Sequence, residues 1–457
     1  MTKLTKKWQM LLYAASGMGV NMLNLMIGSY LCSALIASGF AEEVLPYQTY
    51  LGRDLVIAGV WAVFGTVAKI LDGIIDIPMA SFTDRLKTRF GRRRPAIVIG
   101  FIPMIAAYLL FHLIPNDGAT LLNTVYYGIL LCVFFSFYTL TMVTYYATFT
   151  EIVDNVKDRN FISNVKSFFD IVYFILGYVV VRAMLNNMNI IKVSLIVAPI
   201  SLTMMIPLFL IKEKPSTGET DVKTVNLFKS LAITFKNRDF ILWMIVYSFM
   251  TFGVQLFLGG INEYFSVSGM SMMIVMACSF APVPLTLVLY NAIIKKHGFG
   301  FAFKYILITF SFSMISMFVI GRFVPAGLPK TIASVAGGLF ASLSIGALFA
   351  VSYSIPSQLA AEEEERTGIS HSAMYFAVQG LFSGVASGIG GYVVLTALKK
   401  TEIFGLKGTF FITLVSAAGT LISLVLSFFL PAGVAGMGKT GAPISETLFS
   451  AFRKKKD

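Results

Sequence analysis

The chain has 457 residues, of which 56% are hydrophobic and only 13% charged, and its mean hydropathy is +0.78. A soluble globular domain carries about a quarter charged residues, so the composition excludes one and points to the lipid bilayer as solvent. The net charge of +13 does not point to nucleic acid: the basic residues sit in short loops between apolar runs, where the preference of cytoplasmic loops for Lys and Arg accounts for them.

Apolar runs of about 20 residues, the length that crosses the hydrocarbon core as a helix, recur along the chain. They centre on residues 10–38, 55–80, 96–114, 122–149, 166–186, 191–211, 240–265, 270–294, 302–321, 331–358, 372–398 and 408–430. The first, behind Lys3, Lys6 and Lys7, is too long for a secretory leader and lacks a cleavage site, so it is expected to remain as a span. The fold class is therefore an all-α membrane protein of twelve transmembrane helices. Most of the 36 lysines and arginines fall on one side if the N-terminus is cytoplasmic, which puts both termini in the cytoplasm of a multi-pass cell-membrane protein. The polar, Pro- and Gly-containing stretch 212–238 reads as a cytoplasmic linker between two six-helix bundles, 1–211 and 239–430, with 431–457 a cytoplasmic tail. Each half has a basic loop after its second span, GRRRP in the first and the weaker Ile293 to Lys304 in the second, a faint sign of a parallel repeat.

The second span contains the informative stretch, LDGIIDIPMASFTDRLKTRFGRRRP from Leu71 to Pro95. A charged side chain near the bilayer centre costs on the order of 3 kcal/mol, so Asp72 and Asp76 must face water, a cation or a partner. On a helix Lys69, Asp72 and Asp76 stand at i, i+3 and i+7, along one stripe that faces the protein interior. A Lys69–Asp72 ion pair would account for one carboxylate and leave the other over. Two carboxylates a turn apart suit a proton or Na⁺, since hard oxygen ligands fit that ion.

These residues carry a resemblance. DGIIDIPMASFTDRLKTRFGRRRP resembles the signature of the glycoside/pentoside/hexuronide:cation symporter family, the melibiose-permease-like branch of the major facilitator superfamily, through Asp72, Asp76, Asp84, Arg85, Arg89, Gly91, Arg92, Arg94 and Pro95. A second stretch, Tyr145 to Ser163, is similar to the family's motif at the end of the fourth helix in Tyr146, Ala147, Glu151, Asp154 and Arg159. A third, Glu365 to Gln379, resembles the loop into the eleventh helix. The resemblance implies a major facilitator fold and symport of a sugar with Na⁺ or H⁺ by alternating access. It implies cation ligands at Asp72, Asp76 and Thr139, and a basic residue at Lys69 one turn before the first aspartate.

The family's carbohydrate contacts are altered. Asn21 takes the place of a first-helix aspartate, Met142 that of the helix-four acid, and Tyr146 that of a sugar-stacking tryptophan; the fifth-helix arginine falls near Ser167, beside Lys166, and the eleventh helix, drawn to residue 398, holds no lysine. Substrate candidates are therefore Asn21, Lys69, Tyr145, Tyr146, Lys166, Asp170 and Gln379. Asp170, four residues after Lys166, either pairs with it along the fifth helix or replaces the missing acid. Asn21, Asn24, Gln255, Asn262, Glu263 and Gln379 suit interhelical hydrogen bonds as well as ligand contact. Asp84, Arg85, Arg92, Arg94, Glu151 and Arg159 are candidates for a cytoplasmic latch, and the acidic run Glu362 to Glu365 for its counterpart in the other half.

Gly380, Gly384 and Gly388 form GxxxGxxxG, which permits close helix approach. Cys32, Cys132 and Cys278 offer no metal spacing, His112, His297 and His371 no zinc site, and there is no phosphate-cradling loop or nucleophile constellation. An enzyme or ATP-driven pump is not expected, nor a cofactor beyond the coupling ion. The expected partners are the bilayer and a small solute, carbohydrate in the first reading, with the chain a monomer. The alternatives are a carrier of a lipid-like or small organic solute, or a non-transporting membrane sensor.

Overall fold

The computed structural model describes residues 4–86, 88–152, 156–213, 238–345 and 372–430, with single positions at 235, 348 and 435. Eleven of its helices are long and apolar enough to cross a membrane, and a pair bent by 46° makes a twelfth. We number them α1 (Lys7–Ala34), α2 (Ala58–Asp76, continuing to Arg85), α3 (Arg93–Leu110), α4 (Leu121–Thr148), α5 (Val165–Met184) and α6 (Ile190–Leu210). The rest are α7 (Arg238–Gly259), α8 (Met272–Phe280 with Val283–His297), α9 (Phe299–Phe323), α10 (Leu328–Ile345), α11 (Val378–Lys400) and α12 (Gly408–Ser427). Large apolar side chains such as Val63, Ile102, Phe209, Leu285 and Val425 point outward, the pattern of a bundle whose solvent is hydrocarbon. The protein is a multi-pass membrane protein.

Small residues and prolines explain the local geometry. Pro282, with no N–H to donate, sits at the bend of α8. Pro199 lies in the first turn of the 3₁₀ stretch Ala198–Met205 in α6 and Pro207 just past its end, and there α1 approaches so closely that a Cβ on Gly19 would meet the Ile200 carbonyl oxygen at 2.0 Å. The two spans with the GxxxGxxxG question, α2 and α11, run antiparallel. Gly73 faces Gly380, the Lys69 carbonyl faces Gly384, Thr66 faces Gly388, and Gly65 lies under the Tyr392 ring. The loop before α3 turns at Gly91 (φ 89°), and Glu213, just beyond α6, accepts from the Arg93 and Arg94 N–H groups at 2.9 and 3.2 Å. These are orphan donors of the first helical turn, so the carboxylate caps α3.

Spans α1, α5 and α11 each contain a π-helical turn, Met26–Leu31, Leu176–Val180 and Ile389–Val394, and α7 breaks at Gly260 before resuming as Ile261–Ser268. Irregular backbone in a membrane is tolerated where it is buried in protein or lines a cavity. These four spans surround one cavity.

Candidate functional site

The cavity holds about 220 Å³ and is walled by α1, α2, α5, α7 and α11. Its polar lining includes Asn21, Asn24, Ser29, Ser33, Gln255, Ser387 and Thr396; Trp61, Tyr173, Tyr178 and Tyr392 give it aromatic faces; and the ammonium groups of Lys69 and Lys399 reach it. At about 30 Å³ of liquid volume per water, it holds roughly seven waters, the scale of one small ring-shaped solute.

Lys69 joins this cavity to the acidic stripe of α2. Its Nζ stands 3.8 Å over the Phe135 ring and 3.4 Å from Asp72 Oδ2, while the Thr139 hydroxyl donates to Asp72 Oδ1 at 2.9 Å. Both oxygens of Asp72 are thus engaged. Asp76, one turn on, is exposed and makes no hydrogen bond or ion pair among the described residues. Two carboxylates and a hydroxyl form a donor set suited to a hard monovalent cation or a proton. No cluster of three or more His, Cys, Asp or Glu able to hold a metal occurs among the described residues.

A second polar group lies at the α1, α4 and α5 contact. Lys166 Nζ is 2.5 Å from Asp170 Oδ2, Asn21 Nδ2 donates to Asp170 Oδ1 at 3.5 Å, and the Tyr138 hydroxyl donates to Asn21 Oδ1 at 3.0 Å. Asn21 alone of these reaches the cavity. Lys166 also stands 5.2 Å over the Tyr146 ring.

Two substrate candidates are built into the packing instead. Tyr145 is fully buried; its hydroxyl donates to the Tyr13 carbonyl at 2.9 Å, Tyr13 returns the bond to the Tyr145 carbonyl at 2.7 Å, and the rings stack at 5.0 Å. This reciprocal pair ties α4 to α1. Tyr145→Phe should therefore lower thermal stability by about 1 kcal/mol and leave the KM for solute unchanged, as checked by thermal unfolding in detergent alongside uptake kinetics. Gln379 lies outside the cavity wall and accepts from the Trp243 indole N–H at 3.3 Å, joining α11 to α7. Arg92 and Arg94 stand at the start of α3, away from the cavity, and it is Arg93, between them, that is buried, its guanidinium donating to the Thr83 hydroxyl at 3.2 Å. The side chains of Asp84, Arg85, Glu151 and Arg159, the run Glu362 to Glu365, and most of the linker and tail lie outside the described part of the structure.

Lys399 corrects the sequence reading directly. The apolar run of α11 ends at residue 398, but the helix continues to Lys400, and Lys399 is buried with Nζ 2.5 Å from Glu263 Oε1. The eleventh helix does carry a lysine at the cavity. The sequence signal was the pair Lys399-Lys400, whose first member folds back inward rather than reaching out of the membrane. Adjacent helical residues diverge by about 100°, so Lys400 turns to Asp54 instead, beside the Ser38 hydroxyl. Burial pushes the Asp54 carboxyl up, but Lys400 and the Ser38 N–H and O–H outweigh it and hold it below the ordinary carboxylate range. That ion pair therefore persists as pH falls until the lowered value is reached.

These contacts close the cavity on the side where α1 ends and α2 begins. The Asn262 amide donates to the Ser29 carbonyl at 2.5 Å, the Ser29 hydroxyl to the Leu258 carbonyl at 3.2 Å, and the Thr409 hydroxyl to the Gly39 carbonyl at 2.7 Å. Lys407 meets the Phe40 carbonyl. Each crosses from the first six spans to the last six.

The architecture matches solved transporters. The nucleoside transporter NupG superposes with a TM-score of 0.64 at 13% identity, over 93% of this chain and 98% of that one. The D-xylose-proton symporter superposes at 0.63 and 14%, over 95% and 99%, and a POT family transporter in complex with 5-aminolevulinic acid at 0.61 and 14%, over 92% and 96%. No curated protein matches the chain. A family model described as MFS/sugar transport protein matches residues 12–432. With twelve spans around a polar cavity and an acidic stripe beside it, the chain belongs to the MFS/sugar transport protein family and is a membrane transporter rather than an enzyme.

Proposed function

We propose that the protein is a cation-coupled symporter that carries a sugar or glycoside across the cell membrane by alternating access, with both termini in the cytoplasm and the bundles 1–211 and 239–430 as the rocking units. The observation that carries this reading is Lys69, which lines the cavity and also supplies the counter-charge of Asp72. A Na⁺ or proton arriving at Asp72, Asp76 and Thr139 replaces that counter-charge and frees the Lys69 ammonium for an acceptor on the solute. Cation and solute then bind with positive coupling, which linkage makes reciprocal. Both cavity ammonium groups are paired in this state, and the hydroxyl and amide groups beside them suit a polyhydroxylated solute.

The aromatic faces of Trp61, Tyr178 and Tyr392 give a second reading some support: they suit the base of a nucleoside, the solute named for one of the similar transporters. Purified protein in liposomes tests both. Uptake of a labelled monosaccharide should rise at least tenfold when an inward Na⁺ gradient or an acid-outside pH step is imposed. Gradient-driven nucleoside uptake without sugar uptake would select the second reading. Absence of both would overturn symport of either class.

A further inference from the structure

The buried pair Glu263–Lys399 is not used by the coupling scheme, and its surroundings are unusual. Glu263 is wholly inaccessible, one carboxylate oxygen is doubly engaged, and the other, Oε2, has no hydrogen-bond partner among the described residues. Leaving a charged acceptor buried and unpaired is costly, so such a group calls for a ligand or a second state. The partner now present is Ser33 of α1. Its hydroxyl donates to Glu263 Oε1 at 2.5 Å, and its carbonyl accepts from Lys399 Nζ at 2.9 Å. That carbonyl lies in the last turn of α1, where it also accepts from the Ile36 N–H at 3.3 Å and where the negative end of the helix dipole attracts cations. Ser33 thus offers the pair one O–H donor and one oxygen acceptor close together.

Glu263 and Lys399 belong to α7 and α11 and would travel together, whereas Ser33 belongs to α1 and would leave when this side of the cavity opens. A carboxylate and an ammonium, 2.5 Å apart at the end of a hydroxyl-lined cavity, would then face incoming solute. We propose that Glu263 and Lys399 form a binding seat for a vicinal diol of the solute, occupied by Ser33 as an internal surrogate in the closed state. One solute hydroxyl donates to Glu263, and its neighbour accepts from Lys399. This seat takes over recognition in a chain whose first-helix and fourth-helix positions are Asn21 and Met142. The proposal rests on the sugar reading above.

A thermal-shift titration of the purified full-length protein with D-glucose, D-galactose and D-xylose tests it. Glu263→Gln and Lys399→Gln should each weaken binding of the sugar that stabilises the unaltered protein by about ten- to hundredfold, the effect of losing a hydrogen bond to a charged group. Should either single variant fail to fold, the double variant E263Q/K399Q removes both charges together and should show the same loss. Ser33→Ala removes the competitor and should bind the sugar more tightly. Unchanged sugar affinity in the double variant, or equal or weaker binding by Ser33→Ala, would overturn the seat while leaving the sugar reading intact. If none of the three sugars stabilises the unaltered protein and none is taken up by liposomes, the sugar reading falls and the seat with it.

Discussion

Asp76→Asn is expected to abolish gradient-driven accumulation of solute while leaving the fold and solute exchange intact. The carboxylate has no hydrogen bond or ion pair among the described residues, so its replacement removes charge without removing a contact. Loss of function would therefore report on the ion. Asp72→Asn should abolish accumulation as well, with a different signature. An amide at residue 72 still accepts from Thr139 but no longer holds Lys69 by charge, so it imitates the cation-loaded state and solute binding becomes independent of the cation. A membrane potential supplies about 2.3 kcal/mol per charge per 100 mV, enough to concentrate a neutral solute roughly fiftyfold for each cation carried. Both variants should fall from that ratio to equality across the membrane. The measurement is steady-state accumulation in liposomes under an imposed potential, with counterflow as the control for an intact cavity; accumulation retained in both variants would remove Asp72 and Asp76 from the coupling site.

The sequence was most legible where lipid constrains it. A polar group in hydrocarbon has to be answered by a partner, so the apolar runs located the spans to within a few residues, save the end of the run 331–358, which lies outside the described residues; of the polar stripe, Lys69 and Asp72 turn inward as expected, whereas Asp76 is exposed. Thr139 came from the family resemblance and does reach Asp72. The features that were not legible depend on tertiary contacts. Lys399 stands one residue past the apolar run, where a lysine ordinarily extends to water; the carboxylate of Glu263, 136 positions away in sequence, and the Ser33 carbonyl turn it inward. Tyr145 resembles a ligand group until Tyr13 is seen to use its hydroxyl. The π turns in α1, α5 and α11 leave the hydropathy of their spans unchanged, yet they shape the cavity wall with Ser29, Tyr178 and Tyr392.

Gly384→Val should reduce the initial rate of transport at least tenfold although it alters no charged or cavity-lining group. A Cβ at residue 384 would stand 2.5 Å from the Lys69 carbonyl oxygen and 3.1 Å from the Ile70 Cα, and both obstacles are backbone, which cannot rotate aside. The helices have to part. Overpacking of this kind costs about 1–3 kcal/mol, a five- to 150-fold shift between two states if the other state lacks the contact. The same push bears on the residue that joins cavity to carboxylate: moving the backbone of Lys69 draws its ammonium away from Asp72, where it is already 3.4 Å distant. Coupling and closure should therefore fail together, with solute uptake less dependent on the cation as well as slower. Gly59→Ala is the matched control, because that glycine lies near the start of α2 with nothing within 4 Å of the added methyl group, and it should transport at the unaltered rate. Equal rates for Gly384→Val and Gly59→Ala would mean that α2 and α11 separate freely during transport, and that their glycine contact has no part in setting the position of Lys69.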